Sequence, residues 1–437
     1  MSIRSGSRDV RRAISGGTVV TCDEQDRIHN DGLVVWQGGQ IVYVGRRDGY
    51  ARSRDEEWFD ASGHYVLPGL INLHTHTVMT ALRGLIDDVP ASAWLPRALE
   101  LESRMSLDDR YWSSLGGAWE LLRRGVTFIA DRGSGMAKAS QALWESGIRA
   151  VVTQTLTDQA GDRAWSESED VLDRWGTSAT SRIFAGLGPH ATDTCGDALL
   201  ARVRARTEQL GALTFIHVAQ SRDEVAAARR RGDDGCVHLL HRLGLLGPRV
   251  VAAHCTYLEP GELELLTRTR TVIAHCPVSN AKIEGAVAPG WQLWKAGAQV
   301  GLGTDCVASN NAMDPWFDLK FAALYHKAAA GDPQALPCRT ALSWVTHGAA
   351  RSLGLGGDIG VLSVGARADI VTLRGDAPNA VPAPLDPCSH LVYSASGGDV
   401  DTVVIDGHLV LEHGAPPHLD TERIRHELSR IRAMLVA

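Results

Sequence analysis

The sequence predicts an α/β chain: a (β/α)8 barrel of the TIM type, carrying a small β-sandwich built from both chain ends. Two observations predict it. Between residues 66 and 356, eight short apolar runs alternate with longer amphipathic stretches. These runs lack the polar–apolar alternation of half-exposed strands, so they suit strands buried on both faces, as in a parallel sheet. Residues 1–65 and 357–437 read differently, as short β-branched segments punctuated by Asp-Gly and Gly-Gly. They predict one small domain, with residues 66–356 as a catalytic barrel inserted into it. The alternative, a doubly wound open sheet, is weakened because no G-x-G-x-x-G follows the first run.

The elements follow in chain order. The stretch GTVVTCDEQDRIHNDGLVVWQGGQIVYVG predicts hairpins with turns at Asp-Gly and Gly-Gly. The eight barrel runs are VLPGLINLHTH, VTFIADRG, RAVVTQT, RIFAGLGPH, LTFIHVAQ, RVVAAHC, TVIAHCP and QVGLGTDC. Amphipathic pieces such as SLGGAWELLRRG, GDALLARVRARTEQLG and EPGELELLTRT supply the intervening helices. ADIVTL, HLVYSA and DTVVIDGHLVLEHG predict three further strand segments. The closing TERIRHELSRIRAMLVA sets Ile424, Leu428, Ile431 and Leu435 on one face of a docking helix.

Composition narrows the function classes. The net charge of −7 argues against a nucleic-acid surface, which needs a basic face. No apolar run reaches the ~18 residues of a membrane span. The N-terminal MSIRSGSRDVRRAIS has charge but no apolar h-region, so no signal peptide is expected. The eight cysteines form no C-x-x-C pair, and buried free thiols in a reducing, cytoplasmic setting are the expectation.

The barrel runs end in polar residues. The first ends in His74-Thr75-His76, the fourth in His190, the fifth in His217, the sixth in His254, the seventh in His275 and the eighth in Asp305. Active sites of such barrels lie at the C-terminal strand ends. Residues two apart on a strand face the same way, so His74 and His76 point together. Neutral imidazoles with one carboxylate suit zinc or ferrous iron and leave a position for water. Any one of these histidines alone is more ordinarily a core or surface residue, but six polar strand ends make a set. His64, His238, His241, His326 and His347 lie off the strand ends and carry only the ordinary reading.

The chain resembles the amidohydrolase superfamily, in the branch of triazine hydrolases, guanine deaminases and S-adenosylhomocysteine/methylthioadenosine deaminases. The resemblance rests on VLPGLINLHTHTVMTALRG, GLGPHATDTC, IHVAQ, AHCTYLEPGEL, HCPVSNAKI, GLGTDCVASNNAMD and GARADIVTL, and spans essentially the whole chain. It implies one divalent metal, usually zinc with ferrous iron as the alternative, held by His74, His76, His217 and Asp305 with a water. It implies that Asp305 takes the water's proton and that His254 orients the water. For His275 a supporting role and a structural one stay open. The resemblance makes His190 and Glu102 substrate contacts, Glu102 with a one-residue gap in the match. Trp94 lines the pocket or packs as a lid residue. It also implies a homo-oligomer, a dimer or tetramer, and a small heterocyclic substrate.

Two positions depart from the family pattern. His-x-x-Glu becomes His217-x-x-Gln220, and an amide holds a substrate but does not shuttle a proton near neutral pH. General acid–base help is worth ~10²–10⁴ in rate. Glu224 and His190 are possible substitutes, with Glu224 read as a solvated helix residue. The arginine that adenosyl-type deaminases place near the end of strand three is replaced by Gln154, which argues against an adenosyl substrate specifically. Arg163, in a loop-like stretch, is either a second recognition arginine or a solvated one. Gln220 completes the expected catalytic set of Asp305, His254 and His275. The expectation is hydrolytic deamination of a purine, pterin or triazine-like ring. The alternatives are hydrolysis of a cyclic amide or displacement of a non-amine leaving group, and a catalytically silent metal-containing binding protein.

Overall fold

Eight parallel strands occupy the middle of the chain: β1 (Leu70–Thr75), β2 (Val126–Gly133), β3 (Arg149–Leu156), β4 (Ile183–Ala185 with Gly188–Pro189), β5 (Thr214–Val218), β6 (Val250–His254), β7 (Val272–His275) and β8 (Gln299–Leu302). They come from a computed structural model that describes residues 10–437. Part of the N-terminal stretch read for a signal peptide, residues 1–9, lies outside the described residues. β1 to β4 form one parallel sheet and β5 to β8 another. Isolated parallel bridges join the two at both seams: Leu187 with Thr214 and Ala191 with His217 on one side, Thr75 with Asp305 on the other.

Each predicted run carries its strand, β3 running one residue past it to Leu156, and two depart in detail. VLP does not extend β1. His64–Pro68 is a separate strand that pairs antiparallel with Ile370–Arg374, and the chain breaks at Gly69. A Cβ on Gly69 would stand 2.0 Å from the Thr127 hydroxyl oxygen, so only glycine passes there. β4 is interrupted at Gly186-Leu187, and Leu187 turns across to β5.

The apolar residues of the strands explain the parallel arrangement. Ile71, Leu73, Phe128, Val151, Phe184, Phe215, Val251 and Val272 form one buried cluster below the polar strand ends. Seven strands contribute to it, so none has a solvent face to mark with polar residues. The helices pack outside this layer. Leu107–Arg123 begins with a capping box in which Ser106 and Asp109 satisfy each other's backbone N–H. The C-terminal helix Thr421–Val436 is capped by Asp420 and buries Ile424, Ile431 and Leu435. Its Leu428 sits where Gly116 leaves room, since a Cβ on Gly116 would be 2.7 Å from a Leu428 methyl.

Strands from both chain ends share one eight-stranded mixed sheet among the described residues. Its order runs His408–Leu411, Val400–Ile405, Ile370–Arg374, His64–Pro68, Arg12–Val20, Ile28–Gln37, Gln40–Arg46, and Glu57–Asp60 also pairs with Arg12–Val20. The Gly38-Gly39 and Asp406-Gly407 turns form as predicted, with positive φ at all four residues. Two expectations fail. Asp31-Gly32 is no turn; it lies inside Ile28–Gln37, opposite an irregularity at Gly17. HLVYSA is no strand. It lies largely within the helix Pro387–Tyr393, which Asp386 caps and Pro387 starts, a D-P signal that overrides the β-rich composition.

Arg149, at the foot of β3, ties the central strands to this terminal sheet. Its guanidinium donates to both oxygens of Asp369 at 3.0 and 3.1 Å, and to Asp406 at 3.2 Å. Arg149 and Asp369 are each 1% exposed, so removing one partner strands the other charge in a dry environment. Asp369→Ala is therefore expected to lower the unfolding free energy by about 3–5 kcal/mol. Urea denaturation followed by circular dichroism measures it, and a loss below about 1 kcal/mol would show that the pair is not a fastener.

Candidate active site

The seam between β1 and β8 builds the first half of the site. Asp305 N–H donates to the His74 carbonyl at 2.9 Å, and the Thr75 hydroxyl donates to the Asp305 carbonyl at 3.1 Å. These bonds bring the ends of the two strands face to face. Asp305 Oδ1 lies 3.5 Å from His74 Nε2 and 3.2 Å from His76 Nε2, and the two imidazole nitrogens are 3.1 Å apart. His217 Nε2 is 3.2 Å from His74 Nε2. Ligand-capable atoms collect in two groups that share His74: His74, His76 and Asp305, and His74, His217 and His254. The four residues expected to ligate do not form one set. His217 joins through His74 only, and Arg132 Nη2 lies 2.6 Å from its Nε2.

The protonation pattern explains what these nitrogens offer. His76 Nδ1 faces the Arg132 carbonyl at 2.8 Å, which only accepts, so Nδ1 carries the proton and Nε2 is bare in the neutral ring. His254 Nδ1 is 2.8 Å from Asn280 Oδ1, which leaves His254 Nε2 bare, and that buried atom has no hydrogen-bond partner. Burial disfavours the imidazolium. It pushes His74 down to about 3, and it lowers His190, His217 and His254 as well. Burial alone would raise the Asp305 pKa. The neighbouring His74 and His76 side chains outweigh that, so the carboxyl sits well below its usual range. Neutral rings thus aim bare nitrogens toward a carboxylate, with too few protons to bond them all.

Such a donor set fits a divalent cation. Ligands ~2.05 Å from a tetrahedral ion are about 3.3 Å apart. The His74, His76 and Asp305 edges of 3.1, 3.2 and 3.5 Å match that spacing. The second oxygen of Asp305 is held by the hydroxyls of Ser279 at 2.5 Å and Ser309 at 2.8 Å, which fixes the plane of the carboxylate. His254 and Asp305 both have left-handed backbone, φ 74° and 59°, conformations that cost energy in residues with a Cβ.

A cavity of about 490 Å³ lies alongside, within the usual range for small-molecule sites. His190, Gln220 and Trp94 are among its lining residues. His190 is turned by a contact between its Nδ1 and the Thr194 hydroxyl at 2.8 Å, and its ring is 5.0 Å from that of His217. Trp94 combines both of its readings: it lines the cavity, and its indole N–H donates to the Ala308 carbonyl while the ring is 7% exposed.

Other candidates stand elsewhere. Glu102 is buried and accepts from Arg110 at 2.5 Å, outside the residues that line the cavity. Gln154 is bound at both ends, its oxygen by the Met136 N–H and its amide by Glu167. Arg163 sits in the helix Gly161–Trp175, not in a loop, with its side chain 81% exposed beside Glu167. His275 forms a buried pair with His326, 3.1 Å between Nε2 atoms, and belongs to neither ligand group.

Two features escaped the sequence reading. Glu224 is buried, not solvated. It accepts from the Thr192 hydroxyl at 2.6 Å and from the Gln220 N–H at 2.8 Å, so it pins two loops that line the cavity. A helical position one turn past Gln220 looks exposed until the β4 loop is folded over it. Arg132 at the end of β2 is the other. Its guanidinium donates to the carbonyls of Pro189 and His190, and burial lowers its pKa to about 10. The only sequence signal was a charged residue at the end of an apolar run.

The comparisons agree with this geometry. The amidohydrolase family model matches residues 65–410. The chain is 37% identical over 430 residues to a 5-methylthioadenosine/S-adenosylhomocysteine deaminase of Pelotomaculum thermopropionicum, covering 97% of this chain and 98% of that one. It is 34% identical over 429 residues to a 5'-deoxyadenosine deaminase of Methanosarcina mazei, again covering 97% and 98%. Among solved structures it is similar to an adenosine deaminase from Xanthomonas campestris with bound zinc, at TM-score 0.93 and 28% identity, covering 98% of this chain and 99% of that one. It is also similar to the zinc complex of atrazine chlorohydrolase from Arthrobacter aurescens, at TM-score 0.88 and 25% identity, covering 96% and 100%. Histidines at the ends of β1, β5 and β6, an aspartate after β8 and a match over most of the chain place this protein in the amidohydrolase family.

Proposed function

We propose that the chain is a metal-dependent hydrolase that removes an amino group from a nitrogen heterocycle, with 5'-substituted adenosines as the first substrate class to test. The carrying observation is the convergence of His74, His76 and Asp305 on one point beside a 490 Å³ cavity. The deaminases among the similar proteins supply the substrate class. In this reading the two sheets close at their seams into the (β/α)8 barrel of residues 66–356, and residues 1–65 with 357–437 make the second, sandwich-like domain. A cytoplasmic homo-oligomer completes the reading.

His74, His76 and Asp305, with His217 beside them, would hold a divalent ion, zinc by analogy with the similar structures. When bound, the ion supplies Lewis acidity that brings the pKa of a water near neutrality. Asp305 accepts the water's proton at the carboxylate, which Ser279 and Ser309 hold in plane. His254 Nε2, bare and buried, accepts a hydrogen bond from the attacking water and orients it. The water oxygen bonds to the ring carbon, the exocyclic carbon–nitrogen bond breaks, and the amine leaves with the proton from Asp305. His190 and Trp94 wall the ring, and Gln220 holds it through hydrogen bonds.

Gln220 favours one second reading, displacement of a group that leaves without protonation. The two readings part on a single residue. Gln220→Glu restores a titrating group at the cavity and is expected to raise kcat for ammonia release by about 10²-fold, measured by a coupled ammonia assay. No gain in ammonia release, together with turnover of ring substrates bearing halide or alkylthio groups, would favour the second reading.

Metal removal tests the centre itself. Dialysis against a chelator is expected to abolish turnover, and one equivalent of zinc to restore it. Asp305→Ala is expected to lower kcat by at least about 10³-fold even with zinc present. Full activity of the metal-free protein would overturn the reading.

Glu224 makes the cavity wall sensitive to pH. Burial, with the Asp193 charge adding to it, raises its pKa from 4.5 to about 7. The folded protein then binds this proton more tightly than the unfolded chain. Its contribution to stability is greatest below about pH 4.5 and is lost as pH rises through about 7. Thermal unfolding between pH 5 and 8 is expected to show a decline from this group of roughly 3 kcal/mol, and Glu224→Gln to flatten it.

A further inference from the structure

We propose that the cavity selects a heterocycle whose outward-facing substituent carries a positive charge, and that it rejects a carboxylate or phosphate at the same place. The proposal rests on the hydrolase reading above and specifies its substrate.

The wall of the cavity carries the argument. Four carboxyl groups line it, those of Asp193, Asp223, Glu224 and Glu284, against the single guanidinium of Arg222. That guanidinium is engaged, 4.6 Å above the ring of Tyr257. One Glu284 oxygen is a buried atom with no hydrogen-bond partner. The Tyr257 hydroxyl donates to the Glu284 backbone carbonyl at 3.4 Å. Lys282, two residues away, is committed to Asp87 and Asn311. A carboxylate oxygen left without a donor at a cavity wall is a place for a donor that arrives with the ligand.

The charges also crowd one another. Burial raises Glu284 to about 7, with the Asp223 charge adding to it and Tyr257 and Arg222 only partly offsetting it; burial also raises Asp193, with Asp223 again adding. A cation in the cavity relieves this crowding, and an anion adds to it. Recognition of a ligand carboxylate normally calls for a free arginine fork. Arg163 stands exposed on its own helix and Arg132 faces the His217 ring, so neither is among the lining residues.

Three ligands of similar size separate the possibilities: 5'-amino-5'-deoxyadenosine, 5'-deoxyadenosine and adenosine 5'-carboxylate. With zinc-loaded protein at pH 7.5, kcat/KM is expected to fall in that order, with about 10-fold or more between the amine and the carboxylate. Glu284→Gln and Asp223→Asn, each checked for an unchanged unfolding temperature, are expected to shrink the amine-to-carboxylate ratio. A carboxylate handled as well as the amine, or a ratio that neither variant alters, would overturn the proposal. If none of the three releases ammonia, the deamination reading fails. Calorimetric binding of the same three ligands then decides the charge preference, with equal or reversed affinities counting against it.

Discussion

The site depends on one seam. β1 and β8 are the first and last strands of the central array, more than two hundred residues apart in sequence, and they meet through Thr75 and Asp305. The bonds from Asp305 N–H to the His74 carbonyl and from the Thr75 hydroxyl to the Asp305 carbonyl fix this meeting. Only this register brings Asp305 Oδ1 within 3.5 Å of both His74 and His76. The left-handed backbone at His254 and Asp305 is tolerated because the surrounding strands over-determine it. The apolar cluster beneath keeps the strand ends rigid enough to hold three ligand-capable residues at ion-sized spacing.

Much of this was legible in the sequence because the signals were local. Eight apolar runs with polar tips report buried parallel strands, since strands buried on both faces show no alternation. His-x-His reports two side chains on one strand face. The Gly-Gly and Asp-Gly turns report positive φ. What failed was the part that depends on neighbours distant in sequence. HLVYSA has strand-like residues, but Asp386 and Pro387 start a helix before them. VLP joins the terminal sheet because Gly69 must pass against Thr127. Glu224 looked solvated because its burial depends on Thr192, thirty-two residues earlier.

The site shows the same division. The residue types at the strand ends and the strands that carry them were readable, but the sharing of partners was not. Gln154 reads as a polar strand end facing substrate, yet Met136 and Glu167 occupy both ends of its amide. Glu102 reads as a substrate contact, yet Arg110 neutralises it. Spacing says which residues reach a region, and only packing says which of them still has a free hydrogen bond when it arrives.

Gln220 and Glu224 together recast the departure from the family pattern. The carboxyl one turn beyond Gln220 lines the cavity, but both of its oxygens are bonded to the loops it pins. Moving a proton to substrate from Glu224 requires breaking those bonds, so it is poorly placed to replace the missing acid. In the proposed reading, proton transfer then falls on Asp305, whose second oxygen two serine hydroxyls hold while the first faces the histidines. A centre with one proton-carrying carboxylate favours ring substrates that are already activated. Such activation comes from electron-poor rings, from leaving groups that need no proton, or from a nearby positive charge. The cation proposed for the carboxyl-lined cavity lies on the outward-facing substituent and serves binding, so activation of the ring must come from the ring or its leaving group.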